Sequence, residues 1–447
     1  MLGAEWSAAG VLDAPLIAGP LPTAISLAGA LAAPLLLAGR GRRWWFRQVP
    51  IALACGLALA AVCALLVAVA HPFPDQLPAR MLWWLAVFGS AYALLVLGWR
   101  RIRWMRRALG LLAVLAVTAT CLVKANAFYG YRPTLATALG IPAANQLNLA
   151  DLPRELPLVA AQPQRSLAAD WHAPPGMPGS GSISQVPLRG PRSGFPARSA
   201  WVYLPPAYLS SPRARLPVLV LIPGQPGGPD DWILAGRLPA VMDSFAAAHN
   251  GLAPVVIVPD VTGSAWGNTL CMDSRLGAAD TYLARDVPSW AATTLQVDTS
   301  RMAVGGFSFG GTCALQMAVR HPEVYSTFLD ISGEAHPTLG DRARTINQAF
   351  GGDQAAFERV DPLTILRVRR LPDSAGVVAT GRDDREYGPQ AAQVVIAARA
   401  AAMTIAVLQL PGGHTWANAS LALSASLPWI GGRTGILDST PPPGQRL

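Results

Sequence analysis

The sequence predicts an α/β fold built on a mostly parallel sheet and preceded by a four-helix transmembrane module. Three observations carry that prediction. Four long apolar runs stand near the start of the chain. Beyond about residue 184, short runs of branched apolar residues alternate with alanine-rich segments of helix length. At 306–310 the sequence Gly-Phe-Ser-Phe-Gly sets a serine among small residues, where a strand turns sharply into a helix. A chain of 447 residues with mean hydropathy +0.33 and 14% charged residues is also too apolar to be wholly soluble.

The apolar runs cover about 14–38, 49–70, 82–99 and 108–125, within an N-terminal module of residues 1–126. Each is close to the length that crosses a hydrocarbon core. The first is interrupted by Pro15, Pro20, Pro22 and Pro34. Four such runs in succession, separated by short polar loops, argue for membrane spans over buried core helices. Charge supports this. Residues 1–132 hold 12 Lys+Arg against 3 Asp+Glu and account for the whole net charge of +9, while the remainder holds 23 of each. The basic excess therefore belongs to the membrane module, and a nucleic-acid partner is not indicated. Most of these arginines fall in two loops, one with Arg40, Arg42, Arg43 and Arg47, the other with Arg100, Arg101, Arg103, Arg106 and Arg107. The excess of positive charge places both loops in the cytoplasm, so four spans put both termini outside it. The segment before the first run lacks the basic start of a cleaved signal peptide. Trp44, Trp45, Trp83, Trp84, Trp99 and Trp104 sit near the ends of the runs, where amphipathic rings favour the interface.

Residues 127–184 lose the long apolar runs and carry the breakers Pro174-Pro175-Gly176 and Gly179-Ser180-Gly181, which reads as a linker. The domain at 185–432 opens with the alternating strand at 198–204. Strands then follow at 217–222, 254–258, 302–304, 327–331, 376–379 and 404–410, with helices at 238–249, 280–294 and 390–402 between several of them. Such alternation predicts a parallel sheet covered on both faces, with active residues at the carboxyl ends of its strands. Residues 433–447 read as a C-terminal tail.

Ser308 lies between the strand ending at Val304 and an alanine-rich helix, with Gly305, Gly306, Gly310 and Gly311 around it. A serine hydroxyl at neutral pH needs an adjacent base, itself oriented by a carboxylate. Among six histidines, His414 follows the strand at 404–410, in the turn Pro411-Gly412-Gly413-His414-Thr415-Trp416. His321 and His336 are nearer Ser308 in sequence but follow no late strand. The acid lies in Gly381-Arg382-Asp383-Asp384. Asp384 is preferred because a carboxylate three residues after the glycine can turn back over the strand end, leaving Asp383 solvated or capping. The oxyanion hole needs two backbone N–H groups. Phe309, just after the nucleophile, supplies one. Gln225, in the loop Pro223-Gly224-Gln225-Pro226-Gly227-Gly228, supplies the other, since Pro223 and Pro226 have none.

These residues resemble the esterase family of α/β-hydrolases, which includes esterase D-type hydrolases, feruloyl and siderophore esterases and bacterial mycolyltransferases. The resemblance rests on Leu221-Ile222-Pro223-Gly224 with Asp231-Trp232, on Thr281-Tyr282-Leu283 leading to Asp286-Val287-Pro288, on Gly306 to Gly311, on Gly381 to Asp384, and on Gly413-His414-Thr415-Trp416. It covers about Ser184 to Ile430. The resemblance implies the eight-stranded α/β-hydrolase fold, acyl transfer without metal or cofactor, and the triad Ser308, Asp384 and His414. Two departures stand out. Pro223 replaces a histidine or aspartate common in relatives, and the acid is not the glutamate typical of the mycolyltransferases.

Trp232 and Trp416, with Phe307, Phe309 and Trp266, are candidates to line a substrate pocket or to belong to the core. Of five cysteines, Cys55, Cys63 and Cys121 fall in the apolar runs as packing residues. Cys271 and Cys313 belong to the outer domain, where an oxidising compartment permits a disulfide that spacing alone does not establish. The leading expectation is a membrane-anchored serine esterase acting outside the cytoplasm on an ester of the cell envelope, with the bilayer and a lipid-linked ester as partners. An acyltransferase would instead deliver the acyl group to a sugar or lipid alcohol. A membrane scaffold or transporter with a degenerate hydrolase domain is the reading from another class, disfavoured by spans almost free of ionisable residues.

Overall fold

The computed structural model describes residues 11–37, 41–70, 76–99, 104–141, 145–162, 164–441 and 443–444. Arg40, His71, Arg100, Arg101 and Arg103 lie outside the described residues. The chain divides into two compact units, Met1–Pro142 and Ala143–Leu447.

In the first unit α1 (Pro20–Ala32) runs into a 3-10 turn at Ala33–Leu36 and is followed by α2 (Val49–Ala70), α3 (Ala79–Gly98) and α4 (Trp104–Tyr129). Among the described residues three helices are long and apolar enough to cross a membrane, Trp44–Ala70, Ala79–Gly98 and Trp104–Tyr129. The first of the four expected spans falls short of the other three. Its helix ends at Leu36 after 17 residues, because Pro15 and Pro20 delay its start and Pro34 converts its last turn. The long helices expose Leu57, Leu66, Val96 and Leu122, the all-round apolarity of helices that face lipid. Polar atoms inside the unit find backbone partners, as where the Thr120 hydroxyl donates to the carbonyls of Ile25 and Ala116, each at 3.0 Å. Gly56 of α2 packs on the Ala86 carbonyl and Ser90 of α3 so closely that a Cβ would collide with both.

The second unit is organised by an eight-stranded sheet: β1 (Ser182–Val186), β2 (Ala200–Leu204), β3 (Pro217–Ile222), β4 (Val255–Val258), β5 (Asp298–Phe307), β6 (Tyr325–Ile331), β7 (Ala375–Gly381) and β8 (Thr404–Leu410). The order across the sheet is β8-β7-β6-β5-β3-β4-β2-β1. β2 runs antiparallel to both its neighbours, and the other pairs are parallel. The central strands are buried on both faces, which is why β3 reads as the unbroken apolar run Pro-Val-Leu-Val-Leu-Ile. Helices α5 (Leu238–Ala248) and α9 (Trp416–Arg433) pack on each other. On another part of the sheet, α7 (Phe309–Arg320) meets α8 (Tyr387–Ala400) through the short helix Pro362–Leu366, and α6 (Val287–Thr294) packs against β5. This is the α/β-hydrolase arrangement expected above.

The register aligns the strand ends. Ile222 and Asp330 both pair with Gly306, Ile331 pairs with Phe307 and Ala379, and Gly381 pairs with Leu410. The loops after β3, β5, β6, β7 and β8 therefore leave one edge of the sheet. Part of the stretch expected as a linker belongs to the core instead. Leu167 and Trp171 are buried, the Leu167 and Ala168 N–H groups donate to the carbonyls of Gly435 and Ile436 at 2.9 Å, and Ile436 in the expected tail is buried as well. Isolated apolar residues in a Pro-rich sequence have no period, so their burial is set by distant partners rather than by local pattern.

Candidate active site

β5 must reverse into α7 at residue 308, and the reversal is tight. Ser308 has φ 57° and ψ −122°, in the left-handed region that a serine adopts only when its surroundings impose it. Its N–H donates to the Ile331 carbonyl at 2.8 Å, while its own carbonyl accepts from the Gly311 and Thr312 N–H groups at 2.8 and 3.1 Å. A Cβ on Gly306 would strike the Gly310 carbonyl, and one on Gly310 would strike the Ile222 carbonyl. The glycine spacing around Ser308 is thus a steric requirement of the turn.

Asp384 stands three residues beyond the end of β7, and His414 four beyond the end of β8. The His414 Nδ1 is 3.2 Å from the Asp384 Oδ2, so a carboxylate that can only accept holds the proton on Nδ1 and leaves Nε2 as the basic nitrogen. The imidazole lies between two rings, Phe307 at 4.6 Å and Tyr387 at 4.2 Å between centroids, both stacked. Phe307 is the residue before Ser308, so the elbow and the histidine loop meet at this ring. Burial alone would raise the Asp384 pKa, but His414, the Ser332 hydroxyl at 2.8 Å and the Tyr387 N–H at 3.1 Å together hold it below the usual carboxylate range. Asp383, by contrast, is exposed, and its N–H donates to the Gly412 carbonyl. His321 and His336 are engaged elsewhere, on Asp280 at 3.0 Å and on Asp361 at 2.6 Å.

The loop after β3 lies against Ser308: a Cβ at Gly224 would stand 3.6 Å from that of Ser308. Gln225 is the next residue, and its side chain donates to the Trp266 carbonyl at 3.3 Å. The Phe309 N–H belongs to the first turn of α7, where a helix offers no acceptor of its own. Arg198 anchors the loop from outside. Its Nη2 donates to the Gly227 carbonyl at 3.0 Å and to the Asp260 Oδ1 at 2.8 Å, while its Nε donates to the Asp260 Oδ2 at 3.0 Å. The Gly227 N–H donates to the Ala265 carbonyl at 2.8 Å and the Gly228 N–H to the Asp231 carboxylate at 2.9 Å.

Sequence reasoning missed several of these residues. Ser332 reaches Asp384 from the loop after β6, Tyr387 reaches it from the first residue of α8 three positions on, and Arg198 and Asp260 are 62 positions apart. A weak sequence signal existed only at Ser332, which precedes a glycine; in the structure its φ is 49°. Of the two readings offered for Trp232 and Trp416, pocket wall or core, their burial favours core. Both are buried, at 0% and 2% exposure, with their rings 5.2 Å apart edge to face. Trp232 donates to the Ile222 carbonyl at 3.0 Å, and Trp416 packs edge-on to Phe307 at 5.0 Å, so the pair braces the elbow from within. Phe309 is likewise core, whereas Trp266 is exposed. Cys271 and Cys313 form a disulfide with Cα atoms 5.5 Å apart, tying α7 to the segment after β4. Beneath the elbow lies Asp330, wholly buried. Its Oδ1 accepts from the Gly333 N–H at 2.9 Å, its Oδ2 has no hydrogen-bond partner, and burial lifts its pKa to about 7.

Residues 197–430 match the family described as Putative esterase. An uncharacterized protein of Corynebacterium glutamicum is 35% identical over 377 residues, covering 82% of this chain and 84% of that protein. That is more of the chain than residues 143–447 contain, so the likeness extends into the first unit. An S-formylglutathione hydrolase of Paracoccus denitrificans is 29% identical over 92 residues, 20% of this chain and 33% of that protein. Among solved structures, an S-formylglutathione hydrolase from Agrobacterium tumefaciens is similar at 17% identity and a TM-score of 0.49, covering 58% of this chain and 97% of that one. By this family match, which takes in the elbow, the acid loop and the histidine loop, the chain belongs to the esterase family and is a carboxylic ester hydrolase.

Proposed function

We propose that the protein is a membrane-anchored serine esterase in which Ser308 is the nucleophile, His414 the general base and acid, and Asp384 the carboxylate that orients it. In this reading the Ser308 Oγ bonds to the ester carbonyl carbon while its proton passes to the His414 Nε2. The oxygen that becomes negative is held by the N–H groups of Phe309 and Gln225, each worth on the order of 10² to 10³ in rate in such sites. His414 then gives its proton to the departing alkoxide oxygen, the ester C–O bond breaks, and an acyl-enzyme remains. Water reverses the sequence, releasing the acid and returning the proton to Ser308. The observation that carries the proposal is the Asp384–His414 contact beside the strained Ser308 turn.

The membrane part of the proposal survives the loss of the expected first span. Nine of the twelve basic residues in 1–132 lie before α2 or between the end of α3 and the first turn of α4, so they share one side; Arg80, Lys124 and Arg132 belong to the other, where the chain leaving α4 toward the hydrolase unit emerges. The excess of positive charge assigns the first side to the cytoplasm. The catalytic unit then works outside it, and tethering concentrates it on esters at the membrane surface, lipid-linked ones above all. A membrane-impermeant fluorophosphonate applied to intact cells tests chemistry and topology together. Labelling that Ser308→Ala abolishes is expected. Labelling that appears only after lysis would overturn the topology, and labelling that persists in Ser308→Ala would overturn the nucleophile.

A further inference from the structure

The first unit contains a cavity of about 600 Å³ at the start of α3 and the end of α4, lined by Arg80, Trp83, Trp84, Lys124 and Phe128 with small apolar neighbours. Three positive features converge on it. Arg80 is the second residue of α3, and Lys124, the only lysine of the chain, is set into the last turns of α4. The third is the start of α3 itself. Pro78 precedes it without a side-chain cap, and the first turn holds no acidic residue, so the helix presents its positive end uncompensated. Among the described residues neither Arg80 nor Lys124 makes an ion pair. The one acidic residue between Asp13 and Asp151 is Asp75, which lies outside the described residues. Two cations and a helix N-terminus against at most one carboxylate leave the cavity positive either way.

Lysine and arginine near the ends of membrane helices ordinarily reach separately for the interface, with tryptophans beside them. Here two helices each place a cation on the wall of one shared recess whose remaining lining is Ala79, Met81, Trp83, Trp84, Ala127 and Phe128. That combination suits a ligand with an anionic head and an apolar body. We propose that this cavity binds the phosphate group of an anionic amphiphile, with the head on Arg80, Lys124 and the first turn of α3, and the chains along Trp83, Trp84 and Phe128. The inference rests on the membrane reading of the first unit and not on the esterase chemistry of the second.

The test uses the purified full chain in a non-ionic detergent, with native mass spectrometry to count retained dioleoylphosphatidylglycerol against dioleoylphosphatidylcholine, and a parallel titration with inorganic phosphate. Preferential retention of phosphatidylglycerol is expected. Arg80→Gln and Lys124→Gln should each weaken it about fivefold, the worth of one cation near a membrane surface. Lys124→Arg should keep it, as should Arg106→Gln in the first turn of α4 and Ser308→Ala at the elbow, which separates failure here from failure of the proposed catalysis. Phosphate binding with the same dependence on Arg80 and Lys124, without lipid preference, would support the anion site and identify a soluble phosphate as its source. Lipid retention indifferent to both Gln variants, or no preference for either anion, would overturn the inference.

Discussion

At the scale of single residues, the two neighbouring aspartates after β7 show how burial assigns a role. Asp384 is buried and receives three hydrogen bonds, while Asp383 faces solvent. Asp384→Asn is expected to lower kcat by roughly 10⁴, since an amide in its place stabilises the wrong imidazole tautomer. Asp383→Asn should leave kcat within about twofold. Steady-state hydrolysis of a chromogenic short-chain ester by both variants decides between them. Asp330 makes a different prediction, in stability. Its folded pKa is raised from 3.8 to about 7, so the folded state keeps a proton that the unfolded chain releases. The cost is absent below about pH 4, grows as pH rises, and is complete above about pH 7, where it reaches on the order of 4 kcal/mol. Asp384 and Asp260, whose pKa values are lowered, contribute stability that is lost only as pH falls through their own folded values, outside that window. Denaturant titrations at pH 4.5 and 7.5 should show wild type losing stability relative to Asp330→Asn; a constant difference between the two proteins would sink the argument.

At the scale of elements, the candidate site is a meeting of loops, and what fixes a loop is its anchor. Arg198 grips the Gly227 carbonyl while held by the buried Asp260, so the loop proposed to form the oxyanion hole is positioned by a residue remote in sequence from Ser308. Arg198→Gln should lower kcat roughly 10- to 100-fold, within the range for losing one oxyanion donor, with KM changed little and the rate of fluorophosphonate labelling falling in parallel. A variant that raised KM alone would place Arg198 in substrate binding instead. The Cys271–Cys313 disulfide anchors the helix of the elbow across 42 positions of sequence. Its removal in Cys313→Ser is expected to cost about 2–4 kcal/mol of unfolding free energy, measured by denaturant titration. The elbow and the strand starting at Pro217 were legible because they depend on local chemistry, small residues at a sharp turn and an unbroken apolar run. Ser332, Arg198 and the stacking of Tyr387 on His414 were not, because each of these contacts joins segments remote in sequence and no local pattern marks it.

At the scale of the whole molecule, the chain joins an apolar helical unit to an ester hydrolase. A cysteine introduced in the catalytic unit by Ala355→Cys should react with an impermeant maleimide in intact cells, and one introduced by Arg43→Cys only after permeabilisation. The reverse pattern would invert the proposed topology. Composition and order along the chain determined an apolar helical module, an α/β domain, and a serine, an aspartate pair and a histidine in that order, because hydropathy, strand-helix alternation and glycine spacing are properties of contiguous residues. The tertiary structure decided what contiguity cannot express. It showed that the first apolar run is too short once its prolines act, and that Leu167 and Trp171 of an apparent linker close the core. It packed Trp232 and Trp416 against each other beneath the elbow, and it brought Asp384 rather than Asp383 to His414. Each of these depends on which surfaces meet after folding, and burial and pairing between distant segments exist only once the sheet has set its register.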